Sequence, residues 1–169
     1  MELYIIRHAI AQPLGNKNDF TDEARALTSE GRDKMRDVAR GMRKLGLELD
    51  LILTSPLVRA VETAEILASV FGESKKDIEQ TGNLAPGASS GELFAELKGW
   101  TGVESVALVG HQPDLGELIC KVVGSDGGFF LELKKGGVCC ITVTETVPDI
   151  HGALSWLMTP KQMRLLSKL

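Results

Sequence analysis

The sequence predicts an α/β fold in which a largely parallel sheet is covered by helices on both faces. Three short apolar segments, at residues 2–6, 49–56 and 105–111, are each followed by polar residues and then by a helical pattern. Strands that alternate with helices are typical of parallel sheets, because the crossover helices cover both faces. No internal repeat or low-complexity segment divides the chain, so we expect one domain over residues 1–169.

The first half of the chain alternates strand, helix, strand and helix. Residues 2–6 predict a buried strand, and the polar stretch after Pro13 predicts a loop. Segment 27–46 predicts an amphipathic helix that Thr28 or Ser29 caps and Gly46 closes, with apolar residues at Met35, Val38, Ala39, Met42 and Leu45. A second apolar strand ends at Ser55 and Pro56, and Pro56 suits the first turn of a helix that extends to Gly72.

In the second half of the chain, the secondary-structure signals are weak at first and become clear toward the end. The segment LAPGASSG predicts a loop, and a helix is expected around Glu92 to Lys98. The apolar strand at 105–111 ends abruptly in Gly110 and His111, and PDLGELICKVV predicts the following helix. The segments KKGGVCCITVTET and GALSWLM then predict two more strands, and Thr159 and Pro160 open a last helix through Leu166.

Composition and charge narrow the classes of partner. The chain is 43% apolar and 25% charged, which is ordinary for a globular protein, and its net charge of −4 disfavours general binding to nucleic acid or an anionic membrane. Cys120, Cys139 and Cys140 form no even disulfide framework and are expected to be buried free thiols. No stretch approaches the roughly 20 apolar residues of a spanning helix, and no secretory signal is recognised, so we expect a soluble cytoplasmic protein.

The ends of the three apolar strands predict a functional site. Ligands in open α/β sheets bind beyond the carboxyl ends of the strands. Arg7 and His8 follow the first strand, Ser55 and Arg59 follow the second, and His111 follows the third. Two histidines and two arginines are therefore expected to converge at one edge of the sheet.

Each of these residues also has an ordinary structural interpretation. His8 could be satisfied by backbone hydrogen bonds, Arg7 could pair with an acid, and Arg59 could be a solvated helix residue beside Glu62. His111 could simply end its strand. A shared functional site explains the placement of all four side chains at one edge better than chance does, so we favour a functional site. The third histidine, His151, is predicted to lie in a polar turn at the surface.

Phosphoryl transfer through a covalent histidine is the chemistry that needs this set of side chains. An imidazole with a pKa of about 6.5 is substantially neutral at neutral pH and can attack phosphorus without a separate base. Arg7 and Arg59 can donate to the phosphoryl oxygens, where charge is spread in the transition state. His111 and the helix after it can add further donors. No carboxylate cluster has metal-ligand spacing, and no cofactor motif is present, so we expect neither a bound metal nor a cofactor.

The three strand-end motifs resemble a known family. RHA at 7–9, SPLVRAVETAEIL after the second strand and GHQP at 110–113 are similar to the histidine phosphatase superfamily, which has the phosphoglycerate mutase-like fold, a three-layer sandwich. ALTSEGRDKM, LKKGGV and LSWLMTPKQM resemble its SixA-type branch of protein phosphohistidine phosphatases. The resemblance implies that His8 is the nucleophile. It implies that Arg7, Arg59 and His111 form the phosphate pocket and that Gln112 also binds the substrate.

Two departures from the superfamily pattern affect the expected chemistry. Ala9 replaces the usual glycine, although the SixA-type branch admits alanine there. Gln112 follows the second histidine, where acid phosphatase relatives have an acid, and Asp114 is displaced by two residues. Mutase relatives use a glutamate as proton donor. The sequence does not show whether Glu73, Glu79 or Glu92 has that role here.

A missing acid favours a substrate with an easy leaving group. Sugar and glycerate alkoxides need a general acid, whereas the imidazole of a phosphohistidine leaves readily. The leading hypothesis is therefore a metal-independent phosphatase of histidine-phosphorylated proteins, such as a phosphotransfer domain or phosphocarrier. A phosphatase of small phosphomonoesters and a non-catalytic phosphate-binding or phosphoprotein-binding module are the alternatives. An intact nucleophile speaks against the binding module.

Overall fold

Strands and helices alternate along the chain over most of its length. The computed structural model describes residues 1–15, 21–72, 77–124, 131–146 and 150–169. Its strands are β1 (Glu2–Arg7), β2 (Leu51–Thr54), β3 (Ile78–Gln80), β4 (Ser105–Gly110), β5 (Val138–Glu145) and β6 (His151–Met158). Its helices are α1 (Ser29–Lys44), α2 (Val58–Phe71), α3 (Ser90–Gly99), α4 (Asp114–Val122) and α5 (Pro160–Leu166), with short 3-10 helices at Asp22–Ala24 and Gly82–Leu84.

The strands form one mixed sheet in the order β3-β2-β4-β1-β5-β6. β1, β2, β3 and β4 are parallel, whereas β5 pairs antiparallel with β1 and with β6. The prediction of a largely parallel α/β sheet is confirmed. Because β4 lies between β1 and β2, three parallel strands deliver their carboxyl ends to the same edge.

Helices cover both faces of this sheet, which makes a three-layer sandwich. Tyr4 and Ile6 of β1 pack in an apolar cluster with α1, α2 and Met163 of α5. Leu3 and Ile5 face the opposite way and pack with α3 and α4. This alternation of side chains along a fully buried strand explains why residues 2–6 are apolar without interruption.

The ends of α1 follow the predicted signals. Thr28 is the N-cap, and its side-chain oxygen accepts a hydrogen bond from the Gly31 N–H at 2.9 Å. Past the other end, Gly46 has φ of 75°, a left-handed conformation that favours glycine. These two signals locate a 16-residue helix almost to the residue.

Three sequence predictions differ from the structure in detail. β3 was not predicted, because it has only three residues and two of them, Glu79 and Gln80, are exposed. α2 begins at Val58 with Leu57 as its N-cap, so Pro56 precedes the first turn instead of lying in it. His151 is exposed as predicted, but it begins β6 and pairs with Glu145.

The three cysteines are buried and form no disulfide, as predicted. Cys139 belongs to the apolar cluster on one face of the sheet and Cys140 to the cluster on the other, so their side chains diverge. No helix in the described part of the chain is long and apolar enough to cross a membrane. Among the same residues, no group of three or more His, Cys, Asp or Glu side chains is arranged to hold a metal ion.

Candidate active site

The carboxyl ends of β1, β2 and β4 meet at one edge of the sheet. In the register of the sheet Arg7 pairs with Gly110, and Thr54 pairs with Val109. Backbone hydrogen bonds continue past the strands, from His8 N–H to Gly110 O at 3.0 Å and from Ser55 N–H to Val109 O at 2.9 Å. The residues that follow the three strands are thereby held side by side.

His8 is buried and has a defined tautomer. Its ring nitrogen Nδ1 lies 2.7 Å from the carbonyl oxygen of Ala9, and Nε of Arg59 lies 3.3 Å from its Nε2. A carbonyl only accepts and a guanidinium only donates, so the proton sits on Nδ1 and Nε2 keeps its lone pair. The nitrogen that faces Arg59 therefore carries the lone pair.

The surroundings of His8 keep its imidazole neutral. Burial lowers the pKa of His8 to about 3, although its hydrogen bond to Ala9 opposes that shift. The positive charges of Arg59 and Arg7 and the nearby His111 lower the pKa further. With 6% of His8 exposed, water does little to stabilise an imidazolium there. At neutral pH the ring is a free base.

His111 lies beside His8 with one ring nitrogen fixed and one available. The two ring centroids are 5.1 Å apart, and Nε2 of His111 lies 2.8 Å from Ser55 Oγ. Nδ1 of His111 is buried and has no hydrogen-bond partner among the described residues. Burial first, and then the charge of Arg59, lowers the pKa of His111 to about 4, with Asp22 opposing. An anion that binds here favours a proton on Nδ1, which then donates to it.

Arg59 is an internal residue of the site, in contrast to the solvated interpretation that the sequence left open. It is 4% exposed, and its terminal nitrogens are held by Asp22. Nη1 donates to the Asp22 carbonyl oxygen at 2.6 Å, and Nη2 donates to Asp22 Oδ2 at 3.0 Å. These bonds orient the guanidinium so that its Nε points at His8.

Asp22 is the residue of the site that sequence reasoning missed. It lies on the short 3-10 helix Asp22–Ala24, and its Oδ1 accepts a hydrogen bond from Arg25 Nε at 2.9 Å. Its two carboxylate oxygens therefore serve two arginines. Burial alone would raise the pKa of Asp22, but the hydrogen bonds from Arg25 and Arg59 lower it overall. The Asp-x-x-Arg spacing was visible in the sequence, but it lay in a polar stretch predicted as a loop.

Arg7 and Gln112 are both tied to the segment that precedes β5. Arg7 Nη1 donates to the Leu133 carbonyl oxygen at 2.7 Å and lies 3.9 Å from Glu132 Oε1. Nε of Arg7 is buried without a partner in the described residues. Gln112 Nε2 donates to Leu131 O at 2.7 Å and Gln112 Oε1 accepts from Leu133 N–H at 3.4 Å, so this amide positions the segment that holds Arg7.

Glycine and threonine contacts hold the backbone of the RHA motif. The Gly136 N–H donates to the carbonyl oxygens of Arg7 at 3.0 Å and of His8 at 3.2 Å. Gly136 has φ of 77°, which explains why the turn before β5 uses glycine. The N–H of Ala9 donates to Thr63 Oγ1 at 3.1 Å, and Ala9 packs in the apolar core. The methyl group of Ala9 is thus accommodated.

Among the described residues, the carboxylates that the sequence considered as proton donors, Glu79, Glu92 and Asp114, make no hydrogen bond with His8. Glu79 and Glu92 are exposed on β3 and α3, and Glu73 lies outside the described residues. Asp114 Oδ2 accepts a hydrogen bond from the Gly87 N–H at 3.0 Å. Asp22 and Glu132 each pair with an arginine of the site.

The arrangement is suited to a tetrahedral oxyanion. His8 Nε2 faces the Arg59 guanidinium, the His111 ring lies beside that of His8, and the charge of Arg7 acts on both histidines. Two buried nitrogens, Nε of Arg7 and Nδ1 of His111, lack partners in the described part of the chain. Paired charged donors of this kind match phosphoryl oxygens. Fold and site together define the class of α/β phosphatases with two histidines and two arginines at one sheet edge.

Comparison with known proteins agrees with that class. A model of the histidine phosphatase superfamily (branch 1) matches residues 3–99. An uncharacterized protein of Picosynechococcus sp. is 40% identical over 141 residues, which cover 82% of each chain. Phosphohistidine phosphatase SixA of Escherichia coli K12 is 26% identical over 168 residues, which cover 98% of each chain. The chain belongs to the histidine phosphatase superfamily and to its SixA-type branch.

A solved structure gives the same relationship in three dimensions. The protein histidine phosphatase SixA complexed with tungstate superposes with a TM-score of 0.83 at 27% identity, covering 96% of this chain and 99% of that one. The predicted phosphoglycerate mutase-like fold is confirmed. The protein is therefore a phosphatase by family.

Proposed function

We propose that this protein removes phosphate from histidine residues of cytoplasmic signalling or phosphocarrier proteins, through a covalent phosphohistidine on His8. The single observation that carries the proposal is the fixed tautomer of His8. Nδ1 donates to Ala9 O at 2.7 Å, which leaves the Nε2 lone pair 3.3 Å from the positive Arg59 Nε. A neutral nucleophile beside a permanently charged donor fits attack on a phosphoryl group.

The first chemical step transfers the phosphoryl group to His8. The Nε2 lone pair forms a bond to phosphorus while the P–N bond of the substrate breaks. The substrate ring carries a proton on its other nitrogen, so it takes the bonding pair and leaves as neutral imidazole. The positive charge that the His8 ring gains is shared with Nδ1–H, whose hydrogen bond to Ala9 O at 2.7 Å stabilises it.

The second step regenerates the enzyme. A water oxygen bonds to phosphorus, the Nε2–P bond breaks with its electron pair returning to Nε2, and the water proton passes to phosphate or solvent. Arg59, Arg7 and His111 donate to the phosphoryl oxygens in both steps. Their nitrogens at the site, including the partnerless Arg7 Nε and His111 Nδ1, are placed to stabilise the charge that spreads over those oxygens.

The ionised state of Asp22 supports phosphohistidine, in preference to an alcohol phosphate, as the substrate. Asp22, which approaches the site through Arg59, has a pKa below its usual value because the hydrogen bonds from Arg25 and Arg59 outweigh its burial, so it is ionised and a poor acid at neutral pH. An alkoxide leaving group needs an acid, whereas imidazole does not. The similarity to phosphohistidine phosphatase SixA over 98% of both chains supports the same substrate class.

A comparison of two substrates tests the proposal. kcat/KM is measured for a histidine-phosphorylated carrier protein and for p-nitrophenyl phosphate, with a chelator present and His8→Ala as the control. We expect a preference of about a hundredfold or more for the phosphoprotein, lost in the variant. Preference for the small ester would overturn the substrate assignment in favour of a metabolite phosphatase. Binding of the phosphoprotein without turnover would indicate a binding module.

A further inference from the structure

Basic side chains line a groove between α1 and α2. The groove has a volume of about 880 Å³ and extends along both helices. From α1 it is lined by five cations, Arg32, Arg36, Arg40, Arg43 and Lys44, and from α2 by two carboxylates, Glu62 and Glu65. We call this the basic groove. Positive charge is concentrated there although the whole chain carries a net charge of −4.

The sequence spacing explains why these cations share one face. Residues 32, 36, 40 and 43 recur at intervals of three or four along α1, which places their side chains on one side of the helix. The side chains of Arg36 and Arg40 are 47% and 60% exposed. Their ion pairs with Asp33 and Asp37 are solvent-exposed contacts within the helix, which contribute little energy and leave most guanidinium donors available.

One end of the basic groove adjoins the candidate active site. Glu62 accepts a hydrogen bond from the Leu27 N–H and pairs with Arg32, and it follows Arg59 by one turn of α2. At 1.5 Å per residue, the α2 side of the groove from Glu62 to Val70 lies about 4 to 16 Å from Arg59 along the helix axis. A standard protein interface of about 800 Å² per partner is roughly 30 Å across. One bound domain can therefore cover both the groove and His8.

We propose that the basic groove docks an acidic surface of the protein whose phosphohistidine is hydrolysed at His8. This inference rests on the proposed function, because it identifies the surface chemistry of that substrate. A protein surface fits better than nucleic acid, since Glu62 and Glu65 line the groove and Asp33 and Asp37 flank it. Those carboxylates repel a uniformly negative phosphate backbone, but they can pair with the occasional lysine of an acidic protein surface.

Charge reversal in the groove tests this proposal. In the Arg36→Glu/Arg40→Glu variant we expect kcat/KM for the phosphohistidine carrier protein to fall by about tenfold or more, mainly through KM. Hydrolysis of p-nitrophenyl phosphate should stay unchanged, because neither arginine contacts His8, Arg59 or Arg7. The wild-type rate on the carrier protein should also fall steeply with added salt, whereas that of the variant should not.

Two control variants separate docking from a general charge effect. Lys98→Glu/Lys121→Glu changes the net charge equally in the last turns of α3 and α4, on the opposite face of the sheet, and should leave both rates unchanged. Asp33→Asn removes the carboxylate 2.7 Å from Arg36 and should raise kcat/KM for the carrier protein by about twofold. A surface with only a structural role would not give opposite changes in kcat/KM for the Arg36→Glu/Arg40→Glu and Asp33→Asn variants.

The outcomes distinguish this proposal from the proposed function. If the wild type hydrolyses the carrier protein and the groove variant does so equally well, docking in the groove is wrong and the phosphatase assignment stands. Equal losses in both charge-reversal variants would also contradict specific docking. If the wild type hydrolyses p-nitrophenyl phosphate but not the carrier protein, both proposals fail together. Loss of RNA binding in the groove variant, with unchanged turnover of the carrier protein, would assign the groove to nucleic acid.

Discussion

Arg59 Nε lies 3.3 Å from His8 Nε2, and this contact joins the two functions that a phosphoryl-transfer site needs. The donor marks Nε2 as the nitrogen with the lone pair, and it places a permanent positive charge where phosphoryl oxygens would lie after attack. Asp22 holds the far side of the same guanidinium through Nη1 and Nη2. The orientations of His8, the proposed nucleophile, and of Arg59 are therefore set by one connected network.

The tautomer and charge of His8 can be measured directly. Because burial lowers the pKa of His8 to about 3, the ring should stay neutral from pH 7.5 down to about pH 5. We expect ¹⁵N NMR of the imidazole to show a proton on Nδ1 and an unprotonated Nε2 throughout that range. A titration midpoint near 6.5, the value of an unperturbed histidine, or a proton on Nε2 would contradict the assigned nucleophile.

The two buried histidines should make the fold less stable in acid. Their pKa values of about 3 and about 4 lie below the unfolded value of about 6.5, so the unfolded chain binds more protons below about pH 6.5. Stability is fully present above that pH and is lost as the pH falls toward 4. We expect the Tm of His8→Asn/His111→Asn to vary less between about pH 6.5 and 4 than the wild-type Tm. Parallel Tm curves would show that other groups dominate.

Arg59 should not be replaceable by lysine. The guanidinium contacts Asp22 through two terminal nitrogens while Nε faces His8, and a single ammonium cannot reproduce this geometry. We expect Arg59→Lys and Arg59→Ala to reduce kcat on p-nitrophenyl phosphate by about a hundredfold or more, or roughly 3 kcal/mol of transition-state stabilisation. Arg40→Lys, an exposed change on α1, is the control and should have no effect. A loss below about tenfold in Arg59→Lys would make Arg59 an ordinary cation.

Asp22 should act through Arg59 as a positioning residue. Asp22→Asn keeps the side-chain shape but removes the negative charge that pairs with Arg59 and Arg25. We expect kcat on p-nitrophenyl phosphate to fall by about tenfold while KM changes little, because the nucleophile itself is intact. The matched change Asp33→Asn removes a similar pair on α1 and should leave this rate unaltered. Equal rates for wild type and Asp22→Asn would indicate that Asp22 only anchors its loop.

Gly41 should be required for the packing of α5 on α1. A Cβ at Gly41 would lie 2.1 Å from the carbonyl oxygen of Met163, which is backbone and cannot turn aside. We expect Gly41→Ala to destabilise the fold by about 1 to 3 kcal/mol in urea unfolding, in spite of alanine's higher helix propensity. Gly99→Ala is the control, because nothing lies within 4 Å of the added methyl group and α3 should be unaffected or slightly more stable. Similar unfolding curves for both variants would contradict the packing argument.

Most of the fold was predictable because its signals are local. The apolar runs of β1, β2 and β4 are buried on both faces, and α1 carries a capping threonine at one end and a left-handed glycine past the other. β3 was not predictable, because its three residues are held mainly by backbone pairing to β2 and two of them are exposed. The start of α2 was misplaced because Pro56 is compatible both with a first turn and with the residue before the cap.

The site was predictable as a set of strand ends but not as a network. The positions of His8, Arg59 and His111 follow from the rule that parallel strands end at one edge, and the structure does bring these residues together. The contact between Asp22 and Arg59 joins residues 37 positions apart, with α1 and β2 between them, so no local sequence pattern reveals it. The use of the Gln112 amide to hold Leu131 and Leu133 depends on the same kind of long-range packing.

Trapping the phosphoenzyme is the most direct test of the central claim. A carrier protein labelled with ³²P on histidine is mixed with the enzyme, the reaction is quenched in base within milliseconds, and the enzyme is digested and mapped. The account predicts a base-stable, acid-labile label on the peptide that contains His8, transient in the wild type and absent in a folded His8→Ala variant that also releases no phosphate. Release of phosphate by His8→Ala, or rapid wild-type turnover with no label on that peptide, would contradict it.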